Sequence, residues 1–229
     1  IMIFNNLIFI HIPKTAGSSI INSFKENYKL LEKGDSKFIK KNKLSVKKKY
    51  TKYNIPLIEF EHHLPFDVLK KSVEFKKKPI ITFVRNPFSR AVSLFHECLS
   101  EKKYRNILKI NDKTSFHSFL NIIKKKKFWF TMPMIDWIGI DNLKEMKFIG
   151  KYENLNSDLK LIKKRYNLNF DLKYHNRNSV IKRKIFQPNY IEYYKDEDII
   201  KKVELIYKKD LTTFDYNFEK FKKFEKNKN

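Results

Sequence analysis

Apolar residues fall in short continuous runs, and between the runs they recur every three or four positions. Residues 7–12 (LIFIHI) form the first run, which is too short for a helix, is ended by Pro13 and predicts a buried strand. Residues 18–31 then put Ile20, Ile21, Phe24, Tyr28 and Leu31 on one side of a helix. A strand, a turn of small residues and a helix make the opening of a βα unit. The pattern recurs at 55–60 (IPLIEF), a second strand, followed by a short helix over 65–71 that opens at Pro65. It recurs again at 79–84 (PIITFV), a third strand, followed by a helix over 87–103 with Asn86 as cap, Pro87 in the first position and Val92, Phe95 and Leu99 inward. Further helices are predicted over 115–125, 132–140, 156–166 (capped by Asn156), 187–194 and 196–209, with a fourth strand over 146–151 (MKFIGK). The Lys-rich stretch 32–54 reads as a solvated connection, 172–186 as a basic irregular segment, and the charged tail after Asn217 as frayed. Strands alternating with helices argue for an α/β fold, a mostly parallel sheet with helices on both faces. No repeat or linker interrupts it, so one domain over 1–229 is expected.

Charge changes this picture less than its size suggests. The 229 residues carry 50 Lys and Arg against 25 Asp and Glu, a formal charge of +25. Such a chain attracts anions, and nucleic acid or another polyanion is a natural partner class. Yet 44 of the 50 basic residues are Lys, so Lys is the default surface residue and the charge alone argues weakly for nucleic acid. The single Cys, Cys98, excludes an internal disulfide and Cys-based zinc, and reads as a small buried hydrophobe. No apolar run reaches the ~18 residues that a membrane helix needs. The chain opens at Ile1 rather than at Met, which leaves room for an upstream segment.

Against so biased a background, exceptions carry information. The chain has four Gly and two Ala, yet Ala16, Gly17, Ser18 and Ser19 are consecutive, so something must approach the backbone closely there. The segment Pro13-Lys14-Thr15-Ala16-Gly17-Ser18-Ser19 follows a strand and opens a helix, where backbone N–H groups, the helix dipole, Lys14 and the hydroxyls make a phosphate cradle. It is not a Walker A loop, because the Lys precedes the Gly. Arg85, one of only six Arg, ends the third strand, and Ser93 lies two helical turns on, a second place for an anion. An Arg stands where a P-loop NTPase needs a metal-binding Asp, which disfavours metal-dependent phosphoryl transfer. Two anion sites at neighbouring strand ends imply a ligand with two separated anionic groups, such as a nucleotide phosphorylated at both ends. After the second strand come Glu61-His62-His63, which offers a general base. Each segment alone also fits a plain loop, and Arg90 fits a surface ion pair.

IFIHIPKTAGSSI and ITFVRNPFSRAVSLF, in this order, resemble the 5′-phosphosulfate loop and 3′-phosphate motif of sulfotransferases that use 3′-phosphoadenosine-5′-phosphosulfate (PAPS). The nearest resemblance is to the carbohydrate branch, with the heparan 2-O and chondroitin-type enzymes and bacterial relatives. EHHLPFDVL resembles the segment with the family's catalytic His and places it at His63; KFIGKYENL, NRNSVIKRK and DLTTFDY are looser matches. The resemblance implies a P-loop-like three-layer fold and in-line sulfuryl transfer without a metal. It implies that Lys14 and the backbone of Thr15, Ala16, Gly17, Ser18 and Ser19 hold the 5′-phosphosulfate, and that Arg85 and Ser93 hold the 3′-phosphate. Ser179 and Lys182 would close over the nucleotide. His63 would take the acceptor's proton, with His62 as runner-up, and the desulfated nucleotide PAP would leave. The expected acceptor is a hydroxyl of an oligo- or polysaccharide, and no nucleic acid partner is expected. The expected location is cytoplasmic for a bacterial enzyme, with membrane association left open, or the Golgi lumen if an anchor has been removed. A polyanion-binding module and a nucleotide kinase remain the competing readings. Residues 102–145, with Trp129, Phe130 and Trp137, match no motif; these rings are expected in the core, with sugar stacking as the alternative.

Overall fold

The computed structural model describes residues 2–33, 63–70, 78–171 and 189–227. In chain order these form β1 (Met2–Phe4), β2 (Ile8–Ile10), α1 (Gly17–Asn27), β3 (Leu30–Lys33), α2 (Phe66–Leu69), β4 (Ile80–Val84) and α3 (Pro87–Ser100). Then follow α4 (Lys102–Leu108), α5 (Phe116–Lys125), α6 (Met134–Ile138), β5 (Met146–Lys151), α7 (Leu155–Arg165), α8 (Glu197–Thr213) and α9 (Phe218–Lys226). The chain gathers into two compact units, Ile1–Val84 with Phe128–His175, and Arg85–Lys127 with Asn176–Asn229.

The first unit holds a sheet in the order β3-β1-β2-β4-β5. β2 runs parallel to β4, and β4 to β5, while β1 is antiparallel to both β2 and β3. Only β1 is therefore reversed among the described strands, and the sheet is mostly parallel as expected. Its centre is buried on both faces, which is why β2 and β4 read as unbroken apolar runs. On one face Phe4, Phe9, Ile81 and Phe83 pack with Ile20, Ile21 and Phe24 of α1 and with Leu159 and Ile162 of α7. Phe24 sits edge-on to Phe4, Phe9 and Phe170 at centroid distances of 5.5, 6.2 and 4.6 Å. Burying each such ring contributes roughly 2–3 kcal/mol.

Several boundaries differ from the sequence reading. β1 was not anticipated; the Asn5-Asn6 pair after it marks the turn, closed by a bond from Phe4 N to Leu7 O of 2.9 Å. The first helix stops at Asn27, because Tyr28 is extended (φ −130°, ψ 131°) and the chain pairs with β1 as β3, leaving Leu31 exposed rather than inward. α7 starts at Leu155, after a 3₁₀ turn, so Asn156 is not its cap. The second predicted strand, 55–60, lies outside the described residues.

The second unit is built on α3, which packs against α4, α5, α8, α9 and the 3₁₀ turn Tyr190–Tyr194. Asn86 caps α3 as expected, its side-chain oxygen accepting from Phe88 N at 3.1 Å, with Pro87 next. The helix predicted to run to 103 ends at Ser100, where Glu101 turns extended (φ −97°, ψ 118°) and α4 begins. The tail after Asn217, expected to fray, is α9. Asn217 caps it through Lys220 N, and Phe218 and Phe221, one turn apart, pack on Phe88 and Tyr194. Arg90 is no surface residue: it is fully buried, 5.7 Å from the Tyr207 ring, in a unit that also buries Asp210. Burial pushes its guanidinium pKa down, opposed by Tyr207 and Asp210. Burial also pushes the Tyr207 phenol up, opposed by Arg90.

Candidate active site

The loop from β2 to α1 is the first element of the site. Lys14 (φ 66°) and Ala16 (φ 69°, ψ 9°) both occupy the left-handed region, and neither is glycine. Each costs about 1 kcal/mol, and strain of this kind clusters at functional sites. A left-handed residue on either side of Thr15 is the alternation from which backbone anion nests are built, and α1 adds the positive end of its dipole. Thr15 is fully buried and its hydroxyl donates to Ile12 O at 3.0 Å, so that hydroxyl braces the loop rather than facing a ligand. Ser18 is exposed and Ser19 nearly buried.

Gly17 is not the residue with positive φ. It is glycine because a ring lies against it: a Cβ there would sit 1.9 Å from His11 Cδ2 and 2.2 Å from His11 Nε2. The close approach that the run of small residues implies is thus made, at least in part, by the protein itself. His11, directly after β2, is a residue of this place that sequence reasoning did not single out. Its signal was present in LIFIHI, a polar ring closing an otherwise apolar strand immediately before the loop.

His63 comes to the same place. Its ring lies 4.1 Å from the His11 ring at an interplanar angle of 40°, and its Nδ1 is 2.9 Å from the His11 carbonyl oxygen. A carbonyl can only accept, so Nδ1 carries the hydrogen and the neutral ring keeps its lone pair on Nε2. Trp129 and Trp137 flank His63 at 5.7 and 6.0 Å. Both indoles are buried, as is Phe130, so these rings belong to the core around His63 rather than to an exposed sugar platform.

In the second unit, Arg85 is 5% exposed. Its Nε donates to Ser89 Oγ at 2.9 Å, and its Cζ lies 5.8 Å from the Tyr190 ring centroid. Ser93, one turn beyond Ser89 on α3, is also buried. His62, Ser179 and Lys182 lie outside the described residues.

Residues 4–217 match the family described as the sulfotransferase family, nearly the whole chain. The chain belongs to the sulfotransferase family, the PAPS-dependent enzymes that its motifs resemble. No curated protein matches it. Among solved structures, mouse sulfotransferase SULT7A1 in complex with PAP is similar at 18% identity and a TM-score of 0.47, covering 84% of this chain and 80% of that one.

In this sulfotransferase the segment that carries His63 is anchored from behind. Asn142 Nδ2 donates to Asp67 Oδ1 of α2 and to Ile138 O, and its Oδ1 accepts from Lys70 Nζ at 2.9 Å. Lys70 also pairs with Glu145, which raises the ammonium pKa chiefly through that hydrogen bond. Gly139 (φ 85°) gives Asn142 its place, since a Cβ there would meet Asn142 Nδ2 at 2.6 Å. Residues 134–145, which match no motif, thus hold the segment of His63 through α2.

Proposed function

We propose that this sulfotransferase moves the sulfuryl group of PAPS to a hydroxyl of an oligo- or polysaccharide, with His63 as general base. The observation that carries the proposal is the bond from His63 Nδ1 to the His11 carbonyl, beside the strained anion loop. It leaves the basic nitrogen, Nε2, to receive the acceptor's proton as the hydroxyl oxygen attacks sulfur. The bond from sulfur to the bridging phosphate oxygen then breaks, and PAP leaves with the electron pair. Charge grows on that oxygen, and the Lys14 ammonium with the N–H groups of 15–19 is the complementary positive group. Arg85 and Ser93 are assigned the 3′-phosphate, and Ser179 and Lys182 the closing segment. The acceptor reading rests on the branch that the motifs resemble and on the basic surface, and the same branch supports either a cytoplasmic or a lumenal setting.

Titration of the 229-residue chain with PAP, alongside adenosine 5′-phosphate, tests the nucleotide. PAP should bind at least about tenfold more tightly, a charge-assisted contact to the extra phosphate. Radiolabelled transfer from PAPS to desulfated polysaccharides then tests the reaction. Equal binding of the two nucleotides rejects PAPS, and PAP binding without transfer to any hydroxyl acceptor rejects catalysis.

A further inference from the structure

An arginine can grip a phosphate by either of two bidentate edges, one made by both Nη groups and one by Nε with a single Nη. In this protein the choice is already made. Arg85 Nε donates to Ser89 Oγ at 2.9 Å, and both residues are buried, Ser89 completely. The edge that includes Nε is committed to Ser89. The Tyr190 ring covers a face of the guanidinium at 5.8 Å, a cation–π contact that further limits its rotation. Arg85 immediately precedes the cap of α3 and Ser89 lies in its first turn, where Asn86 and Pro87 fix the backbone. The hydroxyl therefore acts on a side chain whose base is already rigid.

We propose that Ser89 is a positioning residue that presents the double-Nη edge of Arg85 to the nucleotide's 3′-phosphate and so sets the preference for PAP over adenosine 5′-phosphate. This rests on the reading of Arg85 as the 3′-phosphate ligand. Ser89 itself touches no ligand. Its loss lets the guanidinium turn its other edge outward and dissipates the bidentate geometry, while the 5′-phosphate end of the site is unaffected.

The test compares dissociation constants for PAP and adenosine 5′-phosphate in the full chain and four variants. Arg85→Ala should lower the PAP preference by about a hundredfold, the loss of a bidentate charged contact. Ser89→Ala should lower it by about tenfold with adenosine 5′-phosphate affinity unchanged, the loss of one orienting hydrogen bond. Ser89→Cys, nearly the same size but a poor acceptor, should behave like Ser89→Ala and serves if the alanine variant folds badly. Ser89→Thr, which keeps the hydroxyl, should restore the preference. If Ser89→Ala and Ser89→Cys weaken both nucleotides equally, or leave the preference intact while Arg85→Ala abolishes it, the positioning role is overturned. If Arg85→Ala leaves the preference unchanged, the 3′-phosphate assignment itself fails and takes the inference with it.

Discussion

The carbonyl oxygen of His11 lies 2.9 Å from Nδ1 of His63, and one main-chain atom thereby decides which ring nitrogen can accept a proton. His11 directly follows β2 and precedes Ile12 and Pro13, so the ring of His63, the proposed base, is oriented from the chain that leads into the loop. His63→Ala should lower kcat by about a hundredfold or more, the usual contribution of general-base catalysis. PAP affinity should not change, because the ring contributes no phosphate ligand. Steady-state kinetics with calorimetric PAP titration checks both, and near-normal turnover would remove His63 from the role.

The His11 ring is confined from the other side by Gly17. In Gly17→Ala the new methyl group needs the space 1.9 Å from His11 Cδ2, so the ring must move, and it lies against the His63 ring. Overpacking of this kind costs roughly 1–3 kcal/mol, and turnover should fall with the stability. Trimming the ring supplies the control: His11→Ala in the Gly17→Ala background should recover most of the lost melting temperature, a coupling that independent sites would not show. Additive melting-temperature losses would contradict it.

The two segments proposed to hold anions stand out in the sequence because they break the chain's own habits, small residues in a Lys-rich background and Arg where Lys is the default. The sheet centre was legible too, because strands buried on both faces leave unbroken apolar runs at 7–12 and 79–84. What escaped the sequence was set by tertiary context. β1 is a short strand, β3 pairs with it only after the whole of α1 has intervened, and Leu30-Leu31 fits a helix as well as a strand. Residues 134–145 gave no motif because their task is mechanical, holding α2 through Asn142 and Asp67. The close approach at Gly17 was legible but its source was not: the positive φ values belong to Lys14 and Ala16, and only the position of the His11 ring explains the glycine.

Lys14 combines a strained backbone with the ammonium proposed to stabilise the leaving phosphate, and the two are separable. Lys14→Ala removes the charge and keeps a side chain at φ 66°, whereas Lys14→Gly removes the charge and relieves the strain. Both should lower kcat by roughly two orders of magnitude, as loss of one group that stabilises transition-state charge does, with PAP binding largely retained. Lys14→Gly should be no less stable than the parent. A glycine variant with normal turnover would assign Lys14 to loop geometry alone.

Arg90 offers a test of the second unit that is independent of catalysis. It is fully buried beside Tyr207, and Asp210, also fully buried, acts on it electrostatically. Removing one member of a buried charge pair leaves the other uncompensated, at about 3–5 kcal/mol. Arg90→Met should therefore be strongly destabilising in urea. Arg90→Met with Asp210→Leu removes both charges and should be less destabilised than the single variant, because no ion is left without its partner. If the double variant is the less stable of the two, Arg90 and Asp210 do not act as a pair and the arginine's burial must be sustained by Tyr207 and other contacts.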